Sequence, residues 1–350
     1  MRRVIGVAGT AKNTGKTTTL QAVAAYLRAK RMPILLTSIG YDGEDVDMVT
    51  GLPKPKISVE EGDWIATALP LMETSAVVFK DARYTGVDCA LGPVYLGMAA
   101  SPGRVVLAGP AGASDIERIL EASPEGCTVL LDGAFSRLSP MSAATDVLFA
   151  TGAARHPDPA RLGAEIEAIS SVMAVPEEGA AERCRLDFPE GLYSDGSDLR
   201  LTQAVSIASG CSGVLVEGPV NPHLARSALR RLAEMGRHIQ LVVRHPVDML
   251  LSGDFTAWPE VLKESQRSGH RLFARRSSRL LGFTLSPYLP MADSITGRYS
   301  ASLLPARWFL ESVRSLTKAP CTDIVLEGPG MLEEWLGQVI CCNRNREGRE

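Results

Sequence analysis

A chain of 350 residues is long enough for about two domains, each with a core of its own. Hydrophobic residues make up 45% and charged residues 22%, the balance of an ordinary globular protein. A formal net charge of −3 gives no reason to expect nucleic acid as a partner, and no apolar run approaches the roughly 18 residues of a membrane helix. Lys12 and Lys16 interrupt the apolar stretch behind Met1-Arg2-Arg3 too early for a signal peptide. The seven cysteines show no paired spacing beyond Cys341-Cys342. A cytoplasmic location with reduced thiols is expected.

The first element is an apolar strand through Val4, Ile5, Val7 and Ala8, and Gly15 to Arg28 reads as a helix. Between them runs Gly9-Thr-Ala-Lys-Asn-Thr-Gly-Lys-Thr-Thr-Thr19. A glycine-bearing loop between a buried strand and a helix start is an anion site, because backbone N–H groups and the helix dipole both present positive potential. Thr10 to Thr17 matches the phosphate-loop pattern at its diagnostic end, Gly15-Lys16-Thr17. In that pattern Lys16 reaches the β- and γ-phosphates and the Thr17 hydroxyl holds Mg²⁺. The expected nucleotide contacts are Thr10, Ala11, Lys12, Asn13, Thr14, Gly15, Lys16, Thr17 and Thr18. The pattern begins with Gly where this chain has Thr10, so Gly9, one residue earlier, is expected to make the tight exit from the strand.

A second short strand, Pro33 to Ser38, leads into the acidic segment Ile39-Gly-Tyr-Asp-Gly-Glu-Asp-Val-Asp47. These acids fall at the carboxyl edge of the expected sheet, where Asp42, and after it Glu44 or Asp47, would bind Mg²⁺ or position water. Gly51 to Thr67 carries Lys54 and Lys56 in a stiff proline-rich loop; Lys54 is either a contact to a second anion or partner, or a surface residue. Further strands are expected at Val77–Lys80, Val94–Met98 and Arg104–Gly109, with a helix at Ser114–Glu121. Cys127-Thr-Val-Leu-Leu-Asp-Gly133 is an apolar run ending in Asp132, the form of the strand-end acid that orients Mg²⁺. Arg137, shortly after, would neutralise phosphate charge or lie on the surface. The last strand of this half is Asp146–Ala153. No Asn/Thr-Lys-x-Asp guanine-reading sequence is present, and the nearest string is Thr317-Lys-Ala-Pro320, so ATP is favoured over GTP.

A helix around Leu162–Val172 precedes a change of character near residue 175, which places a boundary between residues 1–175 and 176–350. The second half alternates again: strands at Val214–Pro219, Ile239–Val243 and Asp323–Gly328, helices at Pro222–Met235 and Ala301–Leu316. Glu217 and Glu327 at strand ends are turn residues or acids. Arg226, Arg230 and Arg231 share a helix face, and Arg271, Arg275, Arg276 and Arg279 cluster beyond it; both sets are solvated faces or docking patches for an acidic partner. The expected fold is α/β: a P-loop NTPase with a mostly parallel sheet flanked by helices, plus a second α/β domain that binds a client or partner.

The spacing Gly-Thr-x(5)-Gly-Lys-Thr resembles the phosphate loop of dethiobiotin synthetase and of the metallochaperone NTPases that load nickel or cobalamin into enzymes. Gly9 to Thr18, Ser38-Ile-Gly-Tyr-Asp-Gly-Glu44, Lys54-Pro-Lys56 with Ala66-Thr67, and Leu131-Asp-Gly-Ala134 together look like the P-loop subunit of the lysine 5,6-aminomutase reactivases of lysine degradation. This resemblance spans mainly the first 155 residues. It implies a chaperone-like hydrolase that uses ATP to restore a cobalamin-dependent aminomutase, with a second ATPase subunit as partner. In that reading the catalytic set is Lys16, Asp42 and Asp132, and Mg²⁺ rests on Thr17, Asp42 and Asp132. The alternative is a ligase similar to dethiobiotin synthetase acting on a small carboxylate, with Lys12 and Lys54 as substrate ligands. A scaffold that binds nucleotide without turnover is the third.

Overall fold

The computed structural model describes residues 2–40, 56–178, 185–208, 212–236, 239–251, 254–269, 272–292 and 299–347. Two compact units emerge, one made of Met1–Leu162 with Leu281–Glu350 and the other of Gly163–Leu280. In chain order, the first unit contributes β1 (Val4–Gly9), β2 (Ile34–Ser38), β3 (Ile57–Val59), β4 (Trp64–Ala68) and β5 (Phe79–Cys89). It continues with β6 (Gly92–Ala99), β7 (Gly103–Val105), β8 (Thr128–Ala134) and β9 (Asp146–Gly152). The second unit holds β10 (Arg185–Phe188), β11 (Gly213–Val216), β12 (Gln240–Val243) and β13 (Leu272–Ala274). The chain then runs through β14 (Arg279–Ser286), β15 (Tyr288–Ala292), β16 (Tyr299–Leu303) and β17 (Cys321–Thr322).

One nine-stranded sheet organises the first unit, in the order β17-β14-β9-β1-β8-β2-β4-β6-β5. β1 lies parallel to β8 and β9, β2 parallel to β8 and β4, and β14 parallel to β17. β6 pairs antiparallel with β4 and β5, so the sheet is mostly parallel with an antiparallel edge. Every residue of β1 and β2 is buried, as expected of central parallel strands covered on both faces. The helix Lys16–Ala29 buries Leu20, Val23, Ala24 and Leu27, an i, i+3, i+4, i+7 stripe. The helix Gly330–Glu347 offers Leu332, Trp335, Leu336 and Val339 at the same spacing, and both stripes join Ile5, Val7, Leu36, Leu130 and Leu148 in one core. Each large side chain buried this way contributes roughly 2 kcal/mol.

The division of the chain differs from a linear split near residue 175. β14 returns to the first sheet beside β9, where Phe283 stacks on Phe149 with ring centroids 5.7 Å apart and Leu281 enters the core. Residues 281–350 therefore belong with the first unit. Three element expectations also change. Asp323–Gly328 is a single helical turn, Ile324–Glu327, because the Asp323 carboxylate accepts from the N–H groups of Val325 (2.9 Å) and Leu326 (3.1 Å). The helix expected from Ala301 starts at Ala306 behind Pro305, and Ala301 itself pairs with Pro290 across β15 and β16. Of Arg104–Gly109 only the beginning is strand, since β7 stops at Val105; Gly109 instead lies so close to the Ser38 carbonyl that a side chain has no room.

In the second unit the four strands are parallel in sequential order, β10-β11-β12-β13. Helices Ser197–Ile207, Pro222–Glu234 and Trp258–Arg267 accompany them. The Asn221 side chain caps Pro222–Glu234 by accepting from His223 N–H (2.9 Å) and Leu224 N–H (3.4 Å). His245 is buried beyond β12: its Nδ1 accepts from Val247 N–H (3.1 Å), which leaves Nε2, 3.0 Å from Ser278 Oγ, to donate. Burial, with Arg244 second, pushes the imidazole pKa down from 6.5 to about 4. Among the described residues of the chain, no helix is long and apolar enough to cross a membrane.

Candidate functional site

The loop leaves β1 at Gly9, which pairs with Ala134 of β8 on one side and Ala150 of β9 on the other. A β-carbon on Gly9 would fall 3.2 Å from Lys16 Cδ and 3.4 Å from Thr14 Oγ1, so the folded loop and the lysine stem occupy that space. Thr10 fills the position where the pattern has glycine, and it is anchored to β9. Its N–H donates to Ala150 O (2.9 Å) and its hydroxyl to Thr151 Oγ1 (2.8 Å). The Thr14 hydroxyl donates to Ala11 O (2.9 Å), closing the loop on itself.

Asn13 (φ 63°) and Gly15 (φ 83°) are both left-handed, which curls the backbone around the loop before the helix begins. Gly15 is the N-cap, no side chain caps this helix, and its first turn carries no acid. The first-turn N–H groups thus have no carboxylate or hydroxyl of their own to bind. A β-carbon at Gly15 would meet only Ser286 Cβ at 3.6 Å, so glycine is required by conformation rather than by space.

Lys16 opens the helix and its Nζ lies 3.0 Å from each carboxylate oxygen of Asp132, donating to Oδ2. Asp132 comes from the carboxyl end of β8, next to β1, in register with Val7 and with Ser38 of β2. Lys16 thus answers both Asp132 oxygens, whereas Asn13 Nδ2 is buried without a hydrogen-bond partner. Most buried polar atoms in a folded protein are hydrogen-bonded, so this amide has donor capacity left for a further partner. Thr17 sits beside Lys16, partly buried, while Lys12 and Thr18 are exposed. Arg137 is half-buried: its guanidinium lies over Gly40 (φ 67°), where a β-carbon would come 3.0 Å from Nε, at the end of β2. Asp42, Glu44, Asp47 and Lys54 lie outside the described residues.

Three supporting residues escaped the sequence reading: Thr151, Thr284 and Ser286. Thr284 Oγ1 is 2.6 Å from Thr19 Oγ1, tying β14 to the second turn of the loop's helix. The only signal was the apolar run Leu281-Gly-Phe-Thr-Leu285, hidden behind the arginine cluster. The remaining candidates have structural duties. Glu327 is gripped by Arg314 at 2.7 Å and accepts from Thr322, and Arg314 above all holds its carboxyl below the usual range. Arg226 and Arg230 pair with Glu264, and Arg231 with Asp198. Glu217 is exposed, with its N–H on Phe188 O, and Arg275, Arg276 and Arg279 are exposed, whereas Arg271 lies outside the described residues.

Among the described residues no three His, Cys, Asp or Glu side chains gather as a metal-binding group. Thr17 and Asp132 are the hard oxygen donors beside the loop, the ligand type that Mg²⁺ takes together with phosphate oxygens. No protein-family model matches the chain, and no curated protein matches it in sequence.

Proposed function

We propose that Gly9–Thr18 binds the polyphosphate of ATP, that the fold is a P-loop NTPase, and that the chain hydrolyses ATP as a switch acting on another protein. One observation carries the reading: an uncapped, acid-free helix start delivers Lys16 to Asp132 at the end of the neighbouring parallel strand. Phosphate oxygens would accept from the first-turn N–H groups, from Lys16 and from the unsatisfied Asn13 amide. Thr17 and Asp132 would hold Mg²⁺, which supplies neutralising charge to the phosphates. Asp42 is proposed as the water-positioning acid on sequence grounds alone. The absence of a guanine-reading sequence favours ATP.

The proposed setting is reactivation of a cobalamin-dependent aminomutase in concert with a second ATPase subunit. Its support is the resemblance over residues 9–18, 38–44, 54–56 and 131–134. A ligase acting on a small carboxylate is the second reading, favoured by the exposed Lys12 at the loop. Hydrolysis assays separate them: stimulation by a purified aminomutase supports the switch, and turnover that needs a small carboxylate supports the ligase. A Lys16→Ala chain that binds Mg·ATP as tightly as the wild type would sink both.

A further inference from the structure

We infer that Lys16 and Asp132 form a latch that couples Mg²⁺ to nucleotide, an inference that rests on the loop being an ATP site. Lys16 Nζ lies 3.0 Å from both Oδ1 and Oδ2, so its charge is centred on the carboxylate. The lysine stem packs against the bare α-carbon of Gly9, where a β-carbon would come within 3.2 Å of Cδ. The two side chains are only 27% and 15% exposed, so either charge left alone is costly. Among the described residues Lys16 is the one cation within ion-pair distance of Asp132.

The consequence follows from charge balance. A phosphate that recruits Lys16 strands Asp132 and adds negative charge beside it. A divalent cation on Asp132 does the converse and frees Lys16 for phosphate. Each ligand thus removes the other's competitor, and the coupling is reciprocal. Metal-free nucleotide binds against a penalty that Asp132 sets, so removing that carboxylate should improve metal-free binding even though it removes a proposed metal ligand.

The test is equilibrium titration of the full chain with N-methylanthraniloyl-ATP, in EDTA and in millimolar Mg²⁺. Asp132→Asn is expected to bind the analogue about tenfold tighter than wild type in EDTA and to gain little from Mg²⁺. In a Lys16→Met background the same substitution should gain clearly less in EDTA, since only the direct repulsion between carboxylate and phosphate is left to remove. An Asp132→Asn affinity in EDTA equal to or weaker than wild type overturns the latch, as does an equal gain without Lys16. A wild-type chain that binds no analogue even with Mg²⁺ overturns the ATP reading itself and the latch with it. A second measurement needs no variant: reductive methylation of Lys16, read by peptide mass spectrometry, should rise several-fold when Mg²⁺ is added without nucleotide. Unchanged methylation overturns the latch.

Discussion

Of the described helices that follow buried parallel strands, two begin in opposite ways. Pro222–Glu234, behind β11, is closed by its own sequence: Asn221 accepts from two first-turn N–H groups and Pro222 removes a third donor. Lys16–Ala29, behind β1, has a left-handed glycine at its N-cap, no side-chain cap and no acid in its first turn. The first arrangement satisfies its backbone and is finished. The second leaves donors open and places a lysine among them. Around the closed helix the charges are also answered locally, by Ser227 and Arg231 on Asp198 and by Glu264 on Arg226 and Arg230. Around the open one, Lys16 and Asp132 answer each other, and the Asn13 Nδ2 remains without a hydrogen-bond partner.

The contrast breaks most visibly at Lys16. Lys16→Ala should weaken Mg·ATP binding about a thousandfold, roughly 4 kcal/mol, measured by calorimetric or fluorescence titration. The next effect belongs to the second unit and involves no nucleotide. His245 protonates near 6.5 in the unfolded chain and at about 4 in the folded one. Its contribution is fully present above pH 6.5 and is lost as pH falls through 4, a total of roughly 3 kcal/mol. Urea denaturation of wild type against His245→Gln, from pH 7 down to pH 4, should show this slope only in the wild type. Gly15→Ala comes third: the left-handed backbone costs an alanine roughly 1–2 kcal/mol, read as a lower urea midpoint and weaker nucleotide binding together. Asn221→Ala is smallest, about 1 kcal/mol of stability, with Mg·ATP affinity unchanged. If Asn221→Ala weakened nucleotide binding as Gly15→Ala does, the distinction between an open and a closed helix start would be lost.

Much of the candidate site was legible because its signals are local. Gly9, Gly15 and Lys16 are fixed by the geometry of one strand, one loop and one helix, and Asp132 ends an apolar run of the kind that fills a central parallel strand. What lies between distant segments was not legible. Nothing in Leu281–Leu285 announces that Thr284 meets Thr19, because that contact depends on β14 finding β9. Short apolar runs also carry no period that separates strand from helix. Val214–Val216 and Ile324–Leu326 look alike in sequence, yet the first is strand and the second a helical turn, decided by the Asp323 cap. The arginines were open to two readings in sequence; Arg226, Arg230 and Arg231 pair with Glu264 and Asp198 once helices pack side by side, while Arg275, Arg276 and Arg279 are exposed.

The return of β14 to the first sheet has a consequence for synthesis on the ribosome. A chain grown to residue 280 already contains the whole phosphate loop and Asp132, and every strand of the second unit. It still lacks Phe283, Thr284 and Ser286, and the helix whose Trp335 and Leu336 complete the core under Lys16–Ala29. Domains generally fold as they emerge, so the interrupted unit is the last to close although its first residues were made first. The candidate site is therefore completed late in translation, by the segment that looked least like part of it.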